Sequence, residues 1–170
     1  MEEIKVEVKI NAGDMYNFFM YHTYTRASGI LSAFFGVAMF GLMAYTYGQV
    51  AASQSIIYML FAIFFLVFNP INFYARAQKQ VRTIPTFKEP IFYTLSNEGI
   101  TTEQNNESAT IKWSEVRKVV SSGRSIIIYV SKVRANILPK KAIGDNYNAL
   151  LGVLEKNLEP SKIKIKLQNI

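Results

Sequence analysis

The chain has 170 residues, half of them hydrophobic and 18% charged, with a formal charge of +7, one histidine and no cysteine. This composition excludes disulfides, thiolate catalysis, zinc–cysteine sites and clusters of histidine ligands. Charge is also badly spread: Ala27 to Ala75 holds no Asp, Glu, Lys or Arg, and the basic excess lies at and beyond Arg76. Globular chains are about a quarter charged, so an uncharged run of this length does not suit a water-exposed surface.

In chain order, Ile4, Val6, Val8 and Ile10 alternate with Lys5, Glu7 and Lys9, the period-two mark of a half-buried strand. Acidic residues and this alternation are unlike the basic-then-apolar opening of a signal peptide. Asn11 to Asp14 reads as a turn, with Asp14 as the expected helix N-cap. MYNFFMYHTYTR follows. Its aromatic residues face all round, which suits a helix at a membrane–water interface; the alternative is a short core helix. Residues 1–27 are thus read as an N-terminal strand and an interfacial helix.

Two transmembrane spans are expected at 28–48 and 56–75, a hairpin over 28–75. Each is long enough, at 1.5 Å per residue, to cross about 30 Å of hydrocarbon. Asn69-Pro70 should kink or loosen the last turn of the second, because proline removes a backbone donor. The turn between the spans is too short for anything but an antiparallel pair. Arg26 flanks the first span and Arg76, Lys79 and Arg82 the second, while the turn has no basic residue. By the positive-inside rule both termini are expected in the cytoplasm, with the chain a multi-pass protein of the inner (cytoplasmic) membrane. Ser28, Ser32, Gly36, Ala44 and Gly48 recur at steps of four or eight, a small-residue face suited to close helix packing. Its partner is the second span of the same chain or a second copy. Neither span carries an ionisable side chain, which argues against a pump or a secondary transporter.

Residues 76–89 read as a juxtamembrane linker and 90–170 as a cytoplasmic domain. Strand-like segments at 91–96, 100–104, 108–113, 116–121, 125–131 and 135–140 are separated by Gly, Asn and Ser turns, an antiparallel meander or small barrel. A helix follows, expected to be capped by Asp145, with Tyr147, Leu150, Leu151, Leu154 and Leu158 at helical spacing and Pro160 past its end. In the tail, Ile163, Ile165 and Leu167 alternate with lysines. That pattern fits an edge strand blunted by lysine or a basic amphipathic segment against the bilayer.

FYTLSNEGITTE, then IKWSEV, then IIIYVS, then ILPKKAI ahead of an amphipathic helix resemble the YcxB-like family of bacterial membrane proteins, as do two spans just before them. The resemblance implies a C-terminal pleckstrin-homology-like fold, an antiparallel β-barrel closed by a helix, giving a membrane helical hairpin plus an α+β domain. It carries over no catalytic residue. Within its motif, Trp113 has the bulk to anchor the core, Ser114 and Glu115 suit a tight turn, and Pro139 suits the end of a strand.

No catalytic constellation, metal site or cofactor site is apparent from the residues, and an enzyme is not expected. The domain's basic residues are the main candidates, with Lys132, Arg134, Lys140 and Lys141 the expected contacts. A tethered basic domain faces an anionic leaflet, where each nearby cation adds about 1 kcal/mol of attraction. The expected role is a membrane-anchored cytoplasmic binding module docking on anionic lipid headgroups. The other reading is a protein-interaction scaffold or regulatory subunit, including homodimerisation. Nucleic acid is not expected, for want of an aromatic and basic stacking platform.

Overall fold

A computed structural model describes residues 3–165. Its contacts divide the chain into two units: Met1–Phe18 with Gln80–Ile170, and Phe19–Lys79.

The Phe19–Lys79 unit holds the apolar helices. After the strand β1 (Ile4–Val8) and helix α1 (Ala12–Tyr24) come α2 (Ala27–Tyr45) and α3 (Ala52–Ile63), then a π-helical segment Phe64–Phe68 that runs into α4 (Asn69–Thr83). Pro70 explains the π segment. Its ring would clash with the carbonyl of residue i−4, which is Leu66, and widening the turn there relieves the clash without ending the helix. Of the two outcomes expected at Pro70, the structure shows the loosening, as a local widening. Helical structure also continues through Arg76, Lys79 and Arg82, where a linker was expected. Two stretches, Ala27–Tyr45 and Ala52–Thr83, are long and apolar enough to cross a membrane; only 11% and 6% of their most apolar windows are buried. Leu31, Phe34, Ile56 and Leu60 among others stand exposed.

The two helices meet through Gly36. A Cβ placed there would lie 2.8 Å from Leu66 Cγ and 3.0 Å from Phe65 Cβ, so only glycine admits this approach. Phe35 packs edge-on against Phe65, ring centres 5.1 Å apart.

The other unit is built on two four-stranded sheets. In the first, β1, β2 (Ile91–Leu95), β3 (Gly99–Gln104) and β4 (Glu107–Lys112) lie in that order, all antiparallel. β1 pairs with β2 from Ile4 opposite Leu95 to Val8 opposite Ile91. The alternating residues Ile4, Val6 and Val8 are buried and their neighbours exposed. Asn105 and Asn106 both have positive φ, 51° and 65°, the two-residue turn that matches strand twist and that asparagine tolerates.

The second sheet contains β5 (Lys118–Ser121), β6 (Ser125–Tyr129), β7 (Ala135–Pro139) and β8 (Ile163–Lys164), in the order β7-β6-β5-β8. β8 joins parallel to β5, so the tail is an edge strand at Ile163; Leu167 lies outside the described residues. β6 is central and buried along its whole length, consistent with its unbroken apolar run SIIIY. Pro139 sits on an edge strand, where its missing N–H breaks no interior ladder.

The expected closed barrel is not formed. β4 ends at Lys112, a 3-10 turn Trp113–Glu115 intervenes, and β5 begins a separate sheet. No described strand is hydrogen-bonded into both sheets, and closure needs such a continuous ladder. The fold is α+β with two open sheets. Helix α5 (Lys140–Ile143) follows β7, and α6 (Tyr147–Asn157) buries Leu150, Leu151, Val153 and Leu154.

Two expected caps move. Asn11, not Asp14, caps α1: Asn11 Oδ1 accepts the Asp14 N–H at 3.0 Å, and Asp14 Oδ2 accepts the Asn11 N–H at 3.2 Å. This is a capping box, with Asp14 at its third helical position. Asp145 falls inside a 3-10 turn, Gly144–Asn146, and caps nothing; Asn146 precedes α6 without a side-chain cap bond.

Candidate functional site

The four lysines and arginines expected to act together are parted by β7. Lys132 and Arg134 lie in the turn before it, and Lys140 and Lys141 in α5 after it. Five residues at about 3.4 Å each set the two ends roughly 15 Å apart, beyond the ~10 Å over which exposed charges interact at moderate salt. Each end gathers other cations instead.

At the first end, the register puts Lys118 opposite Tyr129 and Tyr129 opposite Ala135. The Lys118 ammonium sits 4.8 Å from the centre of the Tyr129 ring, a cation–π contact. The Arg117 N–H donates to the Tyr129 carbonyl at 2.8 Å. Arg117, Lys118, Lys132 and Arg134 therefore cluster. The β6–β7 turn is well defined, since Ser131 Oγ accepts the N–H groups of Val133 and Arg134 at 3.2 and 2.9 Å. At its tip Val133 is 70% exposed, an apolar side chain between two cations.

At the second end, the Lys140 N–H donates to the Arg124 carbonyl at 2.9 Å. The Arg124 side chain lies 3.4 Å from Asp14, whose side chain is 5% exposed. The Phe18 ring lies 6.4 Å from that of Tyr129, at the first end, while here Ser122 Oγ donates to Asn17 Oδ1 at 2.6 Å. The start of α1 is thereby fastened to the β5–β6 turn. Here Arg124 serves packing, and Lys140 and Lys141 border this latch.

Trp113 is buried and its Nε1–H donates to the Ser96 carbonyl at 2.9 Å. Glu115 accepts the Lys112 N–H at 3.1 Å, which closes the turn expected at Ser114 and Glu115. Among the topology residues, Arg76 stacks on Phe19 at 5.5 Å from the ring centre. Arg26 directly precedes α2, and Lys79 and Arg82 lie on α4. Of the small-residue face, Gly36 is buried, Ser32 is half-buried, and Ser28 and Ala44 are exposed. Gly48 has φ +76° in the turn that follows α2.

Sequence reasoning missed a cleft of about 700 Å³ between the sheets. Tyr93, Thr102, Gln104 and Glu107 line it from the first sheet, Arg134 and Asn136 from the second. Tyr93 faces Thr102 across the ladder, and Gln104 faces Glu107. Gln104 Nε2 donates to the carbonyls of Thr86 and Glu89 at 2.9 and 3.1 Å, which holds the segment before β2 against one wall. Tyr93 is 4% exposed, and burial pushes its phenol up to about 12. Asn136 Nδ2 is buried without a hydrogen-bond partner. Only strand register unites these positions; the available hint was a polar residue inside the apolar strand ANILP.

No match to the chain was found among curated proteins or among solved structures. The family model described as YcxB-like protein matches residues 95–154. That run begins at the last residue of β2 and takes in the tryptophan turn, the basic β6–β7 tip and most of α6. Residues 95–154 of the chain are accordingly a YcxB-like domain.

Proposed function

We propose that the chain is a membrane-anchored binding module whose β unit docks on anionic lipid headgroups at the cytoplasmic face of the inner membrane. The observation that carries this reading is the β6–β7 tip, where exposed Val133 stands between Lys132 and Arg134 with Arg117 and Lys118 at the same strand end. Cations at this density attract an anionic leaflet within a Debye length, and a projecting valine gains by leaving water.

Anchoring rests on the two apolar helices, whose exposed Leu, Ile and Phe side chains call for a lipid cover. β1 precedes those helices and β2 follows them, yet the two are adjacent strands of one sheet. The intervening chain must then cross a bilayer an even number of times. Arg26, Arg76, Lys79 and Arg82 at the hairpin's ends favour the cytoplasm for that common side. The role is binding and not catalysis, since the clustered groups are permanent cations suited to anions.

The native chain has no cysteine, so Val133→Cys carries a single environment-sensitive dye. Reconstituted full-length protein should show a blue-shifted dye in vesicles rich in phosphatidylglycerol and not in phosphatidylcholine alone. High salt, or Lys132→Gln with Arg117→Gln, should reverse the shift. A dye that reports water in every lipid rejects the docking reading.

One observation favours a protein partner as the second reading. β4 is an edge strand, and Glu107 to Thr110 are all exposed. An extended segment of another chain adds to such an edge through main-chain hydrogen bonds. Headgroup-independent binding blocked by proline at Ala109 would favour it.

A further inference from the structure

Headgroup docking reads charge density at a surface; the cleft between the sheets has the makings of a site for one molecule. Three donors line it without a protein partner among the described residues. Asn136 Nδ2 is buried with no acceptor among the described residues, and Asn136 lines the cleft. No hydrogen bond is recorded for the Tyr93 hydroxyl, although its ring is almost wholly buried. The exposed Arg134 guanidinium has no acid within ion-pair distance among the described residues, while its backbone is fixed on both sides: its N–H donates to Ser131 Oγ and its carbonyl accepts from Val130. A buried donor left unpaired, as Asn136 Nδ2 is, is costly, and with the Tyr93 hydroxyl and the exposed cation of Arg134 lining the same cleft it calls for an acceptor-rich, anionic occupant.

The geometry points to a binding site for one phosphate group of a small hydroxylated molecule, held by the Arg134 guanidinium, the Asn136 amide and the Tyr93 hydroxyl. Tyr93 approaches from one sheet and the other two from the opposite sheet. Donors on opposing walls suit the tetrahedral oxygens of phosphate better than the planar pair of a carboxylate, and guanidinium–phosphate contacts are strong and directional. A cleft of about 700 Å³ is far larger than a phosphate ion and within the usual range for small-ligand pockets. The remaining walls are polar. Thr102 Oγ1 donates to the Ala109 carbonyl at 3.1 Å and keeps its lone pairs for a ligand hydroxyl. Glu107, also in the lining, repels negative charge beyond the one phosphate that the Arg134 cation offsets, which favours a monophosphate ester. Such a group belongs to a lipid headgroup or to a free sugar or polyol phosphate.

The test uses the full chain in a phosphate-free maltoside detergent, titrated calorimetrically with glycerol 1-phosphate in one arm and short-chain phosphatidylglycerol in the other. Saturable binding of one molecule per chain is expected in at least one arm. Asn136→Leu, Tyr93→Phe and Arg134→Gln should each weaken it about tenfold, with melting temperatures showing that the variants fold. Lys132→Gln, which disturbs the docking tip but not the cleft, should leave it within about twofold. Binding in both arms identifies a soluble phosphate ester as sufficient; binding of the lipid alone identifies the membrane as the source. The proposal fails if neither probe saturates, or if binding is indifferent to Asn136→Leu and Tyr93→Phe. Because dye-reported docking at Val133 does not involve Asn136 or Tyr93, it survives that failure and can fail separately.

Discussion

Tyr93 is a phenol enclosed between two sheets, and its desolvation holds the proton on. With its folded value pushed up to about 12 and an unfolded value near 10, the folded chain keeps a proton that the unfolded chain has released between those pH values. The contribution to stability is complete below about pH 10 and declines as pH rises through 12, at roughly 1.4 kcal/mol per pH unit. Tyr93→Phe removes this slope. Melting temperatures of the two proteins should therefore converge or cross as pH rises through that window; parallel curves would show the phenol to be solvated. Single residues also decide where sequence reading erred. Asn11 and Asp14 are both good capping types, and only the reciprocal bonds tell that Asn11 caps while Asp14 faces Arg124. Gly99, at the start of β3, is required there because a Cβ would run into the Ile111 carbonyl across the ladder.

At the scale of elements, Gly36 makes the sharpest prediction. Gly36→Ala drives a methyl into Leu66 and Phe65, whereas nothing lies within 4 Å of a Cβ at Gly41. The first substitution should destabilise the helix pair by about 1–3 kcal/mol, read as a lowered melting temperature in detergent, and Gly41→Ala should stay within about 0.5 kcal/mol. Equal effects would mean that α2 does not pack through Gly36. The strands were legible nearly to their ends, because alternation and Asn or Gly turns are local signals: β2, β6 and β7 begin at the expected residues 91, 125 and 135. Non-local arrangement was not legible. Alternation cannot say whether β4 continues into β5 or turns away at Trp113, and so it could not separate a barrel from two open sheets. For the same reason the lysines, close in sequence, proved to occupy opposite ends of β7, and the cleft, assembled from positions far apart, was invisible.

For the molecule as a whole, β1 is the strand that makes the unit discontinuous. Ile4, Val6 and Val8 are almost wholly buried, and at about 1.5–3 kcal/mol for each large apolar side chain their loss rivals the ~5–15 kcal/mol stability of a typical domain. A fragment of residues 80–165 should therefore show no cooperative thermal transition by circular dichroism. Joining residues 3–18 to its N-terminus through a flexible linker should restore one. A cooperative melt of the shorter fragment would mean that the sheet stands without its first strand.

That discontinuity has a consequence during synthesis. The ribosome releases Val8 long before Ile91, and at 5–20 residues per second the wait is roughly 4–17 s. Throughout it, an amphipathic strand with an open hydrogen-bonding edge has no mate, while both apolar helices emerge. With those helices in a bilayer, as proposed, only a nascent chain whose hairpin returns to its starting side brings β2 within reach of β1. On that reading, completion of the first sheet is a built-in check on insertion: molecules threaded wrongly keep two raw strand edges, the kind of surface that chaperones hold and proteases clear.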